Sequence, residues 1–178
     1  MISGQPDSTS ESPLRGQQVV LRRATLSDAP AFRRALATTE VARWWDGWPD
    51  PGDALAMPDH KIWAITVTGN VVGLIKWYER CASIIRFASI DMFIHPDYHR
   101  CSYGSDALRA LIKWLFTDAG HHRITVDPAR DNTAAIRCAE HLGFQQVGVL
   151  RQYERTPQGN FRDGLLMDLL ASDFLGCT

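Results

Sequence analysis

The chain has 178 residues, 19 Lys and Arg against 20 Asp and Glu, and a net charge of −1. It is the length of one domain and carries no global charge that would draw it to nucleic acid or an anionic membrane. No apolar run approaches the ~18 residues of a membrane span. The four cysteines (Cys81, Cys101, Cys138, Cys177) lack CxxC spacing, so no metal ligand set is assigned and free thiols in a reducing cytoplasm are expected.

Residues 1–15 are polar and lack a basic-then-apolar leader pattern, so a disordered tail is expected there, followed by a single domain at 16–178. Gln17–Arg23 reads as the first strand, with Val19 and Leu21 facing one way. Ser27 or Asp28 is placed to cap a helix with Pro30 in its first turn. That helix turns Phe32, Leu36 and Val41 inward and runs out near Trp44-Trp45. Residues 44–53 then hold three tryptophans (Trp44, Trp45, Trp48), three aspartates (Asp46, Asp50, Asp53), two prolines and two glycines. The prolines and glycines predict an irregular loop. Its indoles either plug the edge of the core or form a lid whose flat faces and carboxylates meet a cationic ligand.

Lys61–Thr68 and Val71–Glu79 read as a hairpin turning at Gly69-Asn70. Ile84–Ile94 is the fourth strand, so the middle of the chain is an antiparallel meander. A helix over 103–118 carries the stripe Leu108, Leu111, Ile112 and Leu115. Arg123–Val126 is a short buried strand. Asp131 or Asn132 caps a second helix with Ala135, Cys138 or Ala139, and Leu142 inward, and Gly143 stops it. Phe144–Tyr153 and Gly164–Leu170 close the chain as two strands. The expected fold is one mixed, mostly antiparallel sheet with helices on its faces, an α/β arrangement.

Within this order, Ser89–Gly120 is a strand, a polar turn and a long helix. Free amides of the turn meet the positive end of the helix dipole, which suits a phosphate-like anion.

These elements resemble the GNAT superfamily of acyl-CoA-dependent N-acetyltransferases. In that family a turn of form Q/R-x-x-G-x-G/A follows the fourth strand. The matching residues are His99-Arg100-Cys101-Ser102-Tyr103-Gly104, with His99 in place of Gln/Arg and Ser102 in place of the first glycine. About 30 residues later, Asn132-x-x-Ala135-x-x-x-Ala139-x-x-x-Gly143-Phe144 resembles the family's N-x-x-A-x-x-x-Y-x-x-x-G-F pattern. The resemblance covers roughly Gly16 to Phe174. It implies acetyl-CoA as cofactor, held by Phe93, Ile94, His99, Arg100, Cys101, Ser102, Tyr103, Gly104, Ser105, Asn132 and Ala135.

It also implies roles in catalysis. A backbone N–H near Met92 or Phe93, left unpaired by a bulge, meets the oxyanion, and Met92 is taken as the donor. Asp91 is the amine anchor and base, or alternatively a structural aspartate paired to Arg86 or Arg123. Ala139 stands where many members carry a tyrosine acid, so Tyr98, Tyr103 and Tyr153 become the candidate hydroxyls, with Tyr153 assigned, unless the thiolate leaves to solvent.

Within the superfamily the chain looks most like the aminoglycoside 6'-N-acetyltransferases, through Trp44-Trp45, Ile90-Asp91 and Ala135–Cys138. That likeness implies a small polycationic amine bound by Trp44, Trp45, Asp46, Trp48, Tyr78, Glu79 and Asp91. Asp50 and Asp53 add to the expected negative cleft. The partner is then a small molecule, with the enzyme a monomer or homodimer. Gly16–Asp28 and Asp163–Asp168 look equally like acetyltransferases of ribosomal-protein N-termini. A non-catalytic acyl-CoA sensor is the third reading.

Overall fold

The computed structural model describes residues 12–57, 60–82, 84–156 and 158–175. Most of the expected tail, and Cys177, lie outside them. The elements are β1 (Leu14–Arg15), β2 (Val20–Arg23), α1 (Ala29–Leu36), α2 (Thr39–Trp45), α3 (Pro51–Ala56), β3 (Ile62–Val67), β4 (Asn70–Ala82), β5 (Ile85–Ile94), α4 (Tyr103–Thr117), β6 (Arg123–Val126), α5 (Thr133–His141), β7 (Gln145–Arg155), β8 (Phe161–Leu170) and α6 (Ala171–Leu175). The strands join in one sheet in the order β1-β2-β3-β4-β5-β6-β8-β7. Only β5 and β6 run parallel; the other pairs are antiparallel. This is the mixed, helix-flanked sheet expected from the sequence.

Both faces of the sheet's centre are covered, which is why β3 reads Ile-Trp-Ala-Ile-Thr-Val with no polar alternation. Leu108, Leu111, Ile112 and Leu115 of α4 pack on one face with Leu21, Trp63, Ile65, Ile75 and Ile124. Phe32, Ala35, Val41 and Leu55 cover the other face with Ala64, Leu74 and Phe93. Leu111 is fully buried, so truncating it to alanine costs roughly 2–5 kcal/mol.

Local chemistry corrects several expectations. The helix expected through residue 45 breaks at Thr38, whose backbone is extended (φ −78°, ψ 144°). The Thr38 hydroxyl donates to the Ala35 carbonyl at 2.6 Å, so the side chain competes with the helical ladder. Neither Ser27 nor Asp28 caps α1 through its side chain; Asp28 turns back to Thr25 N–H (2.8 Å) and to both terminal nitrogens of Arg22 (2.7 Å each).

The expected loop at 44–53 contains the start of α3, because Asp50 accepts from Gly52 N–H (2.8 Å) with Pro51 at the first helical position. In the hairpin the turn is Thr68-Gly69, one residue early. Both have positive φ (48° and 86°) and Val67 pairs with Asn70. Leu14 and Arg15, placed in the tail, pair with Leu21 and Val20. The Asp106 carboxylate fixes this edge by accepting from Gln17, Gln18 and Val19 N–H at 2.8, 2.7 and 3.0 Å.

Candidate active site

The parallel junction opens the site. β5 and β6 pair only at Ala88–Ile124 and Ser89–Thr125, closed by a 2.6 Å contact between the Ser89 and Thr125 hydroxyls. Beyond that point β5 continues to Ile94 while the other strand ends at Val126 and the chain turns away through Pro128. The gap widens into a cleft of about 500 Å³. Its walls include Ile90, Asp91 and Met92 from β5, Leu108 from α4, and Asn132, Ala135, Cys138 and Ala139 at α5. Trp44, Trp45 and Trp48 close a third side.

Strand alternation tells which backbone groups face this gap. His95 N–H donates to Val72 O on β4 (2.8 Å). By period two, the backbone groups of Phe93 and Asp91 also face β4, Ile90 N–H closes the β6 ladder, and the groups of Met92 and Ile94 face the cleft. The expected bulge is absent: the β4–β5 register is continuous from Gly73–Ile94 to Ala82–Ile85. Met92 N–H is freed instead by the loss of β6 as a partner.

The turn after β5 explains both motif positions. Ser102 adopts the left-handed conformation (φ 61°, ψ 7°) that the family's glycine suits. Arg100 is also left-handed (φ 62°). Gly104 runs so near β5 that an added Cβ would come within 3.2 Å of the Met92 methyl. Asp106 N–H is bonded to Ser102 O, so the amides of Tyr103, Gly104 and Ser105 are the unused first-turn donors of α4. This cradle fits a pyrophosphate. His99 does not join it, because its Nε2 donates to Ile94 O at 2.9 Å. Asn132 Oδ1 caps α5 by accepting Ala135 N–H (3.2 Å), which leaves its NH₂ for the cleft.

Asp91 is paired, but with neither Arg86 nor Arg123. Those bind Glu79 (2.5 Å) and Asp168 (2.8 Å). Lys76, directly opposite on β4, brings Nζ to 3.0 Å from Asp91 Oδ2. Burial pushes the Asp91 carboxyl above the ordinary range; the Lys76 ammonium opposes this and the Asp127 charge adds to it. Trp45 meets Phe93 and Trp48 edge-on, with centroids 5.0 and 5.4 Å apart, so it is both core plug and cleft wall. Trp44 lies against two guanidinium groups, Arg43 at 4.4 Å and Arg162 at 5.0 Å.

Of the expected acceptor contacts, Trp44, Trp45, Asp46, Trp48 and Asp91 line the cleft. Tyr78 and Glu79 do not, and Asp50 is engaged by Arg33 at 2.6 Å. Asp53 also lies off the cleft lining. Tyr98, Tyr103 and Tyr153 are absent from it too. The Tyr153 hydroxyl donates to Asp127, and burial with that hydrogen bond raises its pKa. Burial likewise raises the Cys138 thiol. Lys76, Asp127, Glu154 and Arg162 are cleft residues that the sequence reading missed. Lys76 carried a signal: a lone charge inside the apolar run of β4, as Asp91 is inside β5.

An acetyltransferase (GNAT) domain family matches residues 18–145. The uncharacterized N-acetyltransferase YoaA of Bacillus subtilis is 27% identical over 154 residues, 79% of this chain and 86% of that protein. An aminoglycoside N(6')-acetyltransferase type 1 of Klebsiella pneumoniae is 39% identical over 56 residues, 32% of this chain and 26% of that protein. The crystal structure of a GNAT-family acetyltransferase from Bacillus anthracis superposes with a TM-score of 0.81 at 18% identity, covering 90% of this chain and 99% of its own. RimJ of Mycobacterium smegmatis, in complex with CoA-disulfide, does so at 0.73 and 20% identity, covering 93% of each chain. With the family's domain matched across residues 18–145 of the chain and the sheet, cradle and cleft in place, the chain belongs to the GNAT acetyltransferases and is an N-acetyltransferase by class.

Proposed function

We propose that the chain moves an acetyl group from acetyl-CoA directly to a primary amine of a small polycationic acceptor, in one ternary complex, with the 6'-amine of an aminoglycoside as the favoured substrate. The observation that carries this reading is the Asp91 carboxylate on the cleft wall, one residue from an N–H that faces the same cleft.

Acetyl-CoA supplies an activated thioester carbonyl. Tyr103, Gly104 and Ser105 amides hold its pyrophosphate, and the Asn132 amide and the Ile94 N–H are placed for the pantetheine arm. Asp91 anchors the acceptor's ammonium and takes its proton; its raised pKa improves it as a base near neutral pH. Met92 N–H donates to the developing oxyanion. No tyrosine lines the cleft among the described residues, so the CoA thiolate departs without a tyrosine acid. A thiol pKa near 8.5 makes that a tolerable leaving group.

The polycation preference rests on cleft charge. Asp46, Asp91, Asp127 and Glu154 line it with Lys76, Arg155 and Arg162. Glu154 is held by Arg162 (2.7 Å) and Asp91 by Lys76. Asp46 and Asp127 have no Lys or Arg partner within ion-pair distance among the described residues. The partial likeness to the aminoglycoside enzyme supports the same choice.

Thiol release from acetyl-CoA is the test, with kanamycin, tobramycin, spermidine and an alanine-initiated peptide as acceptors. Turnover with an aminoglycoside, with the acetyl group mapped to its 6'-nitrogen, is the expected result. Turnover of the peptide alone moves the assignment to protein N-termini, and acetyl-CoA binding without any turnover moves it to a sensor.

A further inference from the structure

The seat that Asp91 offers an amine already holds one. Lys76 projects from β4 opposite Asp91 and puts Nζ 3.0 Å from its Oδ2. The same Nζ lies 5.4 Å from the Trp45 ring centroid and 6.0 Å from that of Trp48. A carboxylate beside indole faces is the recognition chemistry of a primary ammonium. The Lys76 side chain is largely buried and lines the cleft. Resting on the reading of Asp91 as the amine's anchor, we infer that Lys76 is a built-in occupant of the acceptor seat, which every acceptor must displace and which sets the threshold for binding.

Exchanging one ammonium for another at one carboxylate gains little, since the contact formed matches the contact broken. An acceptor with a single positive charge therefore binds weakly. An acceptor with several gains further contacts from Asp46 and Asp127, the cleft carboxylates without a Lys or Arg partner among the described residues. Lys76 thus raises the binding threshold for every ammonium alike, and an acceptor with several charges clears it where a monocation does not. Its charge also opposes the upward push of burial on the Asp91 carboxyl. The other charged or titratable groups around Asp91 are Tyr78 on β4 and Asp127 beyond β6, with Tyr153 of β7 bonded to Asp127, and Arg155 and Arg162 line the same cleft.

The test compares wild type, K76M, K76Q and K76R on tobramycin and on 6-amino-6-deoxyglucose, which carries one ammonium. In K76M the KM should fall by at least ~10-fold, the value of one charge-assisted contact, for the monoamine and for tobramycin alike. The KM for acetyl-CoA should hold, the acid limb of kcat/KM should move to higher pH, and K76R should retain the wild-type amine KM values. An unchanged or raised monoamine KM overturns the inference. If K76M does not fold, K76Q carries the same expectation. Independently, the Lys76 ammonium signal of ¹⁵N-lysine-labelled wild type should shift on saturation with tobramycin, and a static signal overturns it. Wild type inactive on every amine refutes the proposed function instead; active wild type with unaltered amine KM values in K76M refutes only the role of Lys76.

Discussion

Replacing Asp91 by asparagine keeps the side chain's shape and removes its charge and its basicity. A positioned base contributes about 10²–10⁴-fold, so kcat/KM for the amine should fall at least ~100-fold, which is about 2.7 kcal/mol of transition-state stabilisation. The fold should survive. Burial raises the Asp91 pKa above its unfolded value, so the ionised carboxylate opposes folding at neutral pH, and asparagine relieves that cost. Against this gain stands the lost 3.0 Å pair with Lys76, whose ammonium keeps partial access to water. The two partly cancel, and Tm should hold within ~3 °C. The pH profile supplies a second readout. Asp91 acts only when ionised, so wild-type activity is present above its raised pKa and lost as pH falls through it. The acid limb should therefore lie above the ordinary carboxylate value of ~3.9 and vanish in the variant. Thiol release across pH, with calorimetric melting on the same sample, measures all of this. A loss under about threefold with the acid limb intact would refute Asp91 as the group that handles the amine proton.

Trp45→Ala removes a wall that is also a wedge against Phe93 and Trp48. The amine KM should rise ~10-fold and stability should drop by about 2 kcal/mol, with acetyl-CoA KM unmoved; equal changes in both KM values would leave only the wedge. Ser102→Gly relieves a left-handed L-residue whose hydroxyl makes no cap bond. Denaturant unfolding should show a net gain of about 0.5 kcal/mol after the entropy of the added glycine, and a loss would mean that the serine hydroxyl serves the turn. Tyr153→Phe should leave kcat within about threefold, because the hydroxyl's proton is committed to Asp127 and Tyr153 does not line the cleft; a ~100-fold fall in kcat would restore it as the acid.

The fold was legible wherever burial repeats with one period. The stripe on α4 and the unbroken apolar run of β3 located both faces of the sheet. Boundaries were less so, since single side chains decide them. Thr38 ends a helix by bonding back to Ala35 O, and Asp50 starts one that its neighbouring prolines and glycines disguised. The one-residue shift of the hairpin turn has a similar cause. Thr68 accepts a positive φ because the facing strands, not the turn residues, set the register.

The site divides along the same line. Residues whose position follows from the chain's local path, Met92, Gly104 and Asn132, were recoverable from motif spacing, because a strand, a turn and a helix end carry them. Charges were not recoverable that way, because a carboxylate's meaning depends on what lies across the sheet. Asp91 sits between Ile90 and Met92, and local sequence offers it no partner. Its partner comes from β4, fifteen residues earlier, through a register that only the meander defines. Asp50 and Glu79, by contrast, are drawn off by Arg33 and Arg86. What remains for a ligand is set by subtraction: carboxylates in the cleft minus those with a cation of their own. That subtraction shifts the negative surface from α3 and the outer part of β4 to Asp46 and Asp127, which line the cleft with Asp91. An acceptor matched to this cleft needs positive charges besides its reacting nitrogen, and a linear monoamine has none to offer.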